Sequence, residues 1–367
     1  RGQYDHPVGD PIEPNVPAFL PPMAEDFPKN RLGLAQWLTD PQHPLLARVT
    51  VNRIWQQLFG TGIVLTAEDF GSQGEWPSHP ELLDWLARDF VDEGWDLKRF
   101  IRSLMMTETY CQSPHITELD LERDPGNRLL ARGPRFRMDA EMIRDQALFI
   151  SGLLIEKMGG PGVKPYQPKG LWKAVGYSGS NTVSFSKDNG EALYRRSIYT
   201  FWKRTSPPPY LAILNAPNRE TCVVRRERTN TPMQALLLLN DIQYVETARH
   251  LAERLQRKFP EGDDNQRISY LWRLATSRFP TAEETGQLVS FLAELRSHYQ
   301  QNEAAAMELL AVGDSPRDET LSAAEHAAWT LICNLVLNLD EIVTKGGLAV
   351  RAGGERLAAT AVILAVP

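Results

Sequence analysis

A basic and aromatic stretch at residues 194–228 holds the side chains best suited to bind an anion. Arginine offers a planar fork of donors that fits a carboxylate, sulfate or phosphate, and aromatic faces stack on sugar rings or on guanidinium groups. Glu220 and Glu227 are the only acidic residues within the stretch. We therefore predict a site for an anionic ligand, of which an acidic glycan is one example. The predicted ligand-binding residues are Arg195, Arg196, Trp202, Lys203, Arg204, Tyr210, Arg225, Arg226, Arg228 and Asn230.

The same arginines could instead be neutralised inside the fold. Asp139, Glu141 and Asp145 lie on a strongly predicted helix before the stretch, and they are suitable partners for guanidinium groups. The whole chain is acidic, with a formal net charge of −6, which favours such internal pairing. Both interpretations stay open, because the sequence does not give the distances between these groups.

Signals for catalysis are weak and scattered. His79 lies close to Glu81 and Asp84, a set that could exchange protons, but a predicted helix start also explains these residues. Residues 69–71 read Asp-Phe-Gly, without the glycine-rich loop or the other motifs of a kinase. A glycosidase would need two carboxylates brought together by the fold, and the candidates are Asp69, Glu75, Asp139 and Glu141. Whether the chain is an enzyme stays open.

Cysteine usage and charge exclude several classes of protein. Cys111, Cys222 and Cys333 are far apart, so the sequence predicts neither a disulfide scaffold nor a metal site. The Cys-x-x-Cys-His motif for covalent haem attachment is absent, and we predict no cofactor on this chain. The net charge gives no basic bias, which disfavours nucleic acid as a partner. No apolar run approaches the 18 or so residues of a membrane span, so none is predicted.

Hydrophobic periodicity predicts a mainly α fold, a helical domain with a small β-containing insert in its middle third. Residues 1–29 are rich in proline and should form an arm or linker. Residues 30–155 form the N-terminal helical part and residues 231–345 the C-terminal helical part. Residues 156–230 are rich in glycine and proline and include the basic and aromatic stretch. Residues 346–367 have an unrelated composition, and we expect this tail to lie outside the core.

Helix starts give the firmest local signal. Four capping boxes, in which a Ser or Thr is followed three residues later by Glu or Gln, occur at residues 78–81, 231–234, 281–284 and 322–325. Within the middle third, short extended pieces are predicted around residues 171–177, 182–185 and 194–202.

Tryptophan positions separate into two predicted groups. Core-facing spacing on helices predicts burial for Trp37, Trp55, Trp85 and Trp329. Loop positions make better candidates for ligand contact, and these are Trp76, Trp172 and Trp202.

Several ordered segments together resemble a known family. They are residues 30–38, 47–55, 69–74, 79–86, 194–199, 225–232 and 238–241, which include the sequences NRLGLAQWL, HPELLDWL and RRERTNTP. These segments are similar to PSD-one, a planctomycete domain of unknown function found C-terminal to cytochrome-c-like domains in large exported proteins. The resemblance covers roughly residues 1–345 and departs at the tail.

The resemblance implies a context rather than a mechanism. It implies that the chain is a piece of a larger exported protein, periplasmic or on the cell surface, with haem c on an upstream cytochrome-type domain as its partner. The family supplies no activity and no catalytic residues to carry over. We therefore expect a binding or docking module, with acidic polysaccharide as a candidate partner. The alternatives are an enzyme, a hydrolase or an oxidoreductase acting on polysaccharide with the upstream domain, and a purely structural partner of that domain.

Overall fold

A computed structural model describes residue 9 and residues 13–346, and the chain divides into two compact units. The N-terminal unit comprises Arg1–Pro134 and the C-terminal unit Arg135–Pro367. The predicted mainly α fold is confirmed, since the described residues form fifteen α-helices and one two-stranded sheet. Most of the predicted tail, residues 347–367, lies outside the described residues.

The N-terminal unit contains five α-helices. They are α1 (Arg31–Leu38), α2 (Leu46–Phe59), α3 (Pro80–Asp92), α4 (Leu97–Met105) and α5 (Glu118–Arg123). The Trp55 and Phe59 rings stack on α2 with centroids 4.0 Å apart, and the ring of Tyr110 meets Phe59 edge to face. This aromatic cluster and the apolar stripe of α3 form the buried core of the unit.

The described part of the proline-rich arm is fastened to α1. Asn30 caps the helix, because its side-chain oxygen accepts hydrogen bonds from the backbone N–H groups of Leu32 and Gly33. The indole Nε1 of Trp37 donates to the carbonyl oxygen of Pro21 at 2.8 Å. The arm therefore packs on the helix that follows it.

The C-terminal unit contains ten α-helices and a short strand pair. The helices are α6 (Ala140–Ser151), α7 (Leu171–Val175), α8 (Pro209–Ile213), α9 (Pro232–Asn240), α10 (Ile242–Lys258), α11 (Asp264–Thr276), α12 (Ala282–Gln301), α13 (Glu303–Leu310), α14 (Ala323–Leu337) and α15 (Asp340–Val343). The strands are β1 (Phe136–Arg137) and β2 (Thr344–Lys345). Two 3-10 helices lie between α7 and α8, at Gly190–Tyr194 and Ser197–Tyr199.

Helix α14 forms the centre of the C-terminal core. Its sequence is apolar on most sides, and Trp329, Ile332 and Val336 have no exposed surface. A helix that is apolar around most of its circumference has to be enclosed by neighbours, and α10, α12 and α13 pack against it. Apolar burial of this extent is the main stabilising term for a helical domain.

A second cluster joins the two ends of the C-terminal unit. Helices α6, α8, α9 and α10 share it with Val343 of α15. Strands β1 and β2 pair antiparallel, with Phe136 opposite Lys345, and the N–H of Met138 donates to the carbonyl oxygen of Val343 at 3.0 Å. The segment that enters α6 is therefore fixed by the segment that leaves α15.

The strand predictions for the middle third were wrong in their local form. Residues 171–175 form helix α7, and residues 182–185 form no strand. The predicted strand at 194–202 begins where one 3-10 helix ends, at Tyr194, and contains another at Ser197–Tyr199. Two isolated parallel bridges, Ile155 with Arg195 and Val163 with Thr200, are the β-type pairing present among the described residues of this part.

Arg144 of α6 donates to backbone carbonyl oxygens that would pair with a neighbouring strand in a sheet. Its guanidinium has no exposed surface and donates to the carbonyl oxygens of Leu193 at 2.8 Å and Arg195 at 2.9 Å. The same group donates to Ser197 Oγ at 3.1 Å and to Gln243 Oε1 of α10 at 2.9 Å. This arrangement, the Arg144 clamp, holds an irregular segment between two helices.

Three of the four tryptophans predicted to be buried are buried. Trp37, Trp55 and Trp329 are at most 6% exposed, whereas Trp85 is 63% exposed and its prediction was wrong. The buried stripe of α3 consists of Leu83, Leu86, Ala87 and Phe90, spaced three and four residues apart. Trp85 lies between the positions of that stripe and therefore points away from the core.

Candidate anion-binding cleft

A cleft in the C-terminal unit collects charged side chains from β1, α6 and the loop before α9. The space around it, about 260 Å³, includes open solvent, and the room inside for a water-sized group is about 10 Å³. Its walls are Arg137, Met138, Asp139, Ile143, Leu214, Asn215, Glu227, Arg228, Thr229 and Gln234. We call it the Arg137–Arg228 cleft.

Arg137 brings a guanidinium with unused hydrogen-bonding capacity into this cleft. Its side chain is 12% exposed, and its Nη1 is 4.0 Å from Asp340 Oδ1, a weak contact. Its Nε is buried and has no hydrogen-bond partner among the described residues. Burial lowers the pKa of Arg137, with Asp340 acting in the opposite direction. A buried donor without a partner costs about 1–3 kcal/mol.

Thr229 offers a second donor. Its Oγ1 accepts a hydrogen bond from Asn215 Nδ2 at 2.6 Å and another from Gln234 Nε2 at 3.0 Å. A hydroxyl has two acceptor positions and one proton, so the Thr229 proton remains available to donate. Gln234 is itself held by the capping box of α9, in which Thr231 Oγ1 accepts from the Gln234 backbone N–H. The helix start thus positions a side chain of the cleft.

Arg228 supplies the third donor group. Its guanidinium lies over the ring of Phe136, 4.1 Å from the centroid, which orients the planar fork. Burial lowers the pKa of Arg228, Asp139 raises it, and Arg226 lowers it. Like Arg137, this cation has lost part of its hydration and gains from a neighbouring anion.

Two carboxylates balance the arginines at the rim of the cleft. Arg226 Nη1 donates to Glu141 Oε2 at 2.5 Å and lies 3.5 Å from Asp139 Oδ2. Internal pairing is therefore confirmed for Arg226. Burial raises the pKa of Asp139, while Arg226 and Arg228 lower it.

Arg195 has a structural position away from solvent. It is 6% exposed, and its guanidinium donates to the carbonyl oxygens of Lys157 at 2.8 Å, Gly159 at 2.5 Å and Pro161 at 3.2 Å. It also stacks on Tyr199, 3.9 Å from the ring centroid. These contacts close the loop 157–161 and use most of the donors of this arginine.

Arg196 and Lys203 each have a partner outside the cleft. Arg196 Nε lies 3.7 Å from Asp145 Oδ2, which again agrees with internal pairing. Lys203 Nζ donates to the carbonyl oxygen of Thr182 at 2.7 Å and lies 5.0 Å over the ring of Trp172. Trp172 is 2% exposed and lies in the core. It is therefore not available for the ligand contact predicted for it.

The segment 202–220, which includes α8, makes several polar contacts within itself. Trp202 Nε1 donates to the carbonyl oxygen of Asn218 at 3.1 Å, and Arg219 lies 4.7 Å over the Trp202 ring. Arg204 forms an exposed ion pair with Glu220 at 3.8 Å. Such exposed pairs contribute little to stability.

The remaining predicted residues have separate surroundings. Tyr210 is 5% exposed and belongs to the second core cluster, with its hydroxyl 3.5 Å from Thr200 Oγ1. Arg225 and Asn230 are exposed on either side of Arg228 in the chain. Of the predicted set, Arg228 lines the cleft and Arg226 contacts its wall residue Asp139, while Arg137, Asn215, Thr229 and Gln234 complete the lining.

Comparison with known protein families shows which family this chain belongs to. Residues 30–292 match PSD1, described as a protein of unknown function (DUF1553). This chain belongs to the PSD1 family. No curated protein and no solved structure matches it. Every residue that lines the cleft lies inside the segment that matches PSD1.

Two further properties of this PSD1 chain bear on its chemistry. Across residue 9 and residues 13–346, no three His, Cys, Asp or Glu side chains are grouped as a metal site would require. Over the same residues, each helix is too short or too polar to span a bilayer.

Sequence reasoning missed Arg137, Asn215 and Thr229. Arg137 lies far before the basic stretch and reaches the cleft because β1 pairs with β2. Asn215 has a left-handed backbone with φ of 65°, a conformation that asparagine tolerates better than most residues. For these three residues the sequence carried one signal, the capping box at 231–234. It fixes Gln234, which in turn donates a hydrogen bond to Thr229.

Proposed function

We propose that this PSD1 chain is a binding module that holds an anionic group, the carboxylate of an acidic polysaccharide, in the Arg137–Arg228 cleft. The observation that carries the proposal is that Arg137, Arg228 and Thr229 line one cleft. The Arg228 guanidinium is oriented there by the ring of Phe136. Three convergent donors in a partly dehydrated cleft suit a carboxylate better than a neutral group.

An aromatic surface next to the cleft supports a sugar as the carrier of that carboxylate. Trp202 is partly exposed and packs on the same core cluster as Met138 and Leu214, which line the cleft. Arg219 lies over the Trp202 ring and would have to move for a sugar to stack on that face. Aromatic rings have an apolar face and suit the apolar face of a sugar ring.

The cellular context is also a proposal. We propose that the parent protein is exported, to the periplasm or the cell surface, and that haem c on an upstream cytochrome-type domain is the neighbour of this module. Support comes from the PSD-one resemblance of segments such as 79–86 and 225–232, which the membership in PSD1 strengthens.

The test is calorimetric titration of the full chain with oligosaccharides of glucuronic acid. We expect saturable binding, weakened at least tenfold in R137Q and in R228Q. Arg273 is the matched control, because it also stacks on an aromatic ring, Phe279 at 4.7 Å, and lies outside the cleft. R273Q should bind as the unchanged chain does. Equal affinities in all four proteins, or no binding by the unchanged chain, would contradict the proposal and favour a structural role beside the upstream domain.

A hydrolase is the second candidate, and the carboxyl pair favours it. Asp139 and Glu141 both contact the same nitrogen of Arg226, and burial favours the neutral acid form of Asp139. Glycoside hydrolysis needs one carboxylic acid and one carboxylate on either side of the scissile bond. Release of reducing ends from an acidic polysaccharide, abolished in both D139N and E141Q, would establish this activity. Binding without such release would exclude it.

A further inference from the structure

We infer that anion binding in the Arg137–Arg228 cleft is coupled to the uptake of one proton, which is held by Asp139. This inference rests on the anion-binding function proposed above. Asp139 already places a carboxyl group in the cleft, with Oδ2 3.5 Å from Arg226 Nη1. A ligand carboxylate that reaches Arg137 and Arg228 would meet this group as a second anion in the same space.

Two carboxylates in one partly dehydrated cleft repel each other strongly when both are ionised. The charges that act on Asp139 are Glu141 from α6 and Arg226 and Arg228 from the loop before α9. Arg137 of β1 and Glu227 line the same cleft. Asp340 of α15 lies behind Arg137 at 4.0 Å. The nearby acids offset the arginines, so the added charge of a ligand is not fully neutralised unless one carboxyl group takes a proton.

Asp139 is the carboxyl group best placed to take this proton. Glu141 accepts a hydrogen bond from Arg226 Nη1 at 2.5 Å. Asp139 Oδ2 lies 3.5 Å from the same nitrogen. Burial already raises the pKa of Asp139. Protonation of Asp139 therefore gives up less direct interaction than protonation of Glu141.

The position of Asp139 at the start of α6 leaves it free to change state. It is the N-cap residue, but its side chain makes no hydrogen bond to the backbone N–H groups of the helix. Protonation therefore removes no cap from α6, in contrast to the usual aspartate at this position.

The step balances as one protein, one ligand anion and one buffer acid giving the protonated complex and the conjugate base of the buffer. The proton resides on a carboxyl oxygen of Asp139 and is donated in a hydrogen bond to a carboxylate oxygen of the ligand. No bond between heavy atoms forms or breaks. Between the pKa values of Asp139 in the free and the occupied cleft, affinity should rise about tenfold for each unit by which pH falls.

The experiment is calorimetric titration of the full chain with glucuronate at one pH in two buffers that differ in ionisation enthalpy, neither of them a phosphate or carboxylate. The difference in observed enthalpy gives the number of protons taken up. We expect about one for the unchanged chain and none for D139N, whose amide still donates a hydrogen bond and whose affinity should not vary with pH. Glu220 provides the matched control, since E220Q removes an exposed carboxylate outside the cleft and should keep the uptake.

Each outcome separates the two proposals. Binding by the unchanged chain without proton uptake, or uptake that persists in D139N, overturns the coupling and leaves the anion site in place. Absence of binding at any pH overturns both. If D139N does not fold, affinity of the unchanged chain measured against pH decides: a tenfold gain per unit supports coupling, and a flat profile overturns it.

Discussion

Guanidinium groups in the C-terminal unit differ in role because they differ in surroundings. Arg144 is enclosed and donates four hydrogen bonds, Arg226 pairs with carboxylates, and Arg137 lines the cleft and makes a weak contact with Asp340 at 4.0 Å. The sequence predicted an anion site built from arginines. It could not distinguish Arg195, which donates to a loop carbonyl, from Arg228, which lines the cleft. That distinction depends on carbonyl partners contributed by remote segments.

Replacement of Arg144 should be among the most damaging changes in the unit. R144M leaves the carbonyl oxygens of Leu193 and Arg195 without their donors, and we expect a loss of about 3 kcal/mol in the free energy of unfolding. R144K should also destabilise, because a single ammonium cannot replace a planar fork that spans several acceptors. Urea unfolding followed by circular dichroism measures both.

The exposed Arg273 again provides the comparison. R273M should change the free energy of unfolding by no more than about 0.5 kcal/mol, as is usual for surface positions. If R144M proved as mild as R273M, the Arg144 clamp would not contribute to stability as its hydrogen bonds indicate.

Helix starts were predictable from the sequence where a Ser or Thr cap is followed three residues later by Glu or Gln and both hydrogen bonds form. The boxes at 231–234 and 281–284 are confirmed as reciprocal hydrogen bonds. At α3 the predicted box was wrong, because Pro80 begins the helix and makes His79 the N-cap. At α14 the N-cap is Ser322, as the box at 322–325 implies, but its side chain makes no cap bond. A further box at Thr117 was not predicted, since its third residue is Asp120 rather than Glu or Gln.

Strands were less predictable than helices in this chain. Residues 198–202 have the β-branched and aromatic composition of a strand, but side-chain donors such as Arg144 and Arg195 hold the neighbouring backbone in turns. Strand propensity expresses packing on a sheet surface, and no sheet extends into this part of the described structure.

The cap of α9 should affect both stability and the cleft. T231A removes the oxygen that accepts from the Gln234 backbone, and we expect a cost of about 1 kcal/mol in unfolding free energy. Anion affinity should fall as well, because Gln234 orients Thr229. Ser322 makes no cap bond, so S322A should cost less than T231A. Chemical unfolding of the two variants tests this, and equal costs would contradict it.

At the scale of the whole molecule, the family match and the folded units have different limits. The match to PSD1 ends at residue 292, within α12, whereas the central helix α14 follows later in the chain. The compact units divide between Pro134 and Arg135, inside the segment 30–155 that the sequence presents as one helical part. Periodicity identifies helices but not which of them share a core.

A chain that ends at residue 292 should therefore fail to fold its C-terminal unit. Without α14, the faces of α10 that pack on it are left in water. We expect the amide hydrogens of α10 to exchange rapidly in this chain and slowly in one that ends at residue 346, which keeps every described helix. Mass spectrometry after hydrogen exchange gives the comparison, and equal protection of α10 would refute it.

His326 should make stability depend on pH. It has no exposed surface, its Nε2 donates to the carbonyl oxygen of Arg249 at 3.1 Å, and Nδ1 has no partner among the described residues. Burial lowers its pKa below the ordinary 6.5, with Glu253 opposing the shift. The unfolded chain then binds a proton that the folded chain does not, so stability is present above pH 6.5 and falls as pH decreases below it.

The substitution H326Q keeps a donor to Arg249 and removes the titration. The unfolding free energy of the unchanged chain should decline relative to H326Q by up to about 1.4 kcal/mol per pH unit below 6.5. Thermal or urea unfolding between pH 7 and pH 5 measures the difference. Parallel profiles for the two proteins would show that His326 does not titrate in this range.

The Arg144 clamp has a consequence for the chain as it is made on the ribosome. Gln243 follows Arg144 by 99 residues, which at about 5–20 residues per second corresponds to a delay of roughly 5–20 s. Until Leu193 and Arg195 have been made, about half-way through that delay, none of the four acceptors is present and the guanidinium stays hydrated beside Ile143, Ala147 and Leu148. In the nascent chain Arg144 is thus a solubilising charge on an apolar surface, and in the finished protein it becomes the buried anchor of the segment that covers that surface.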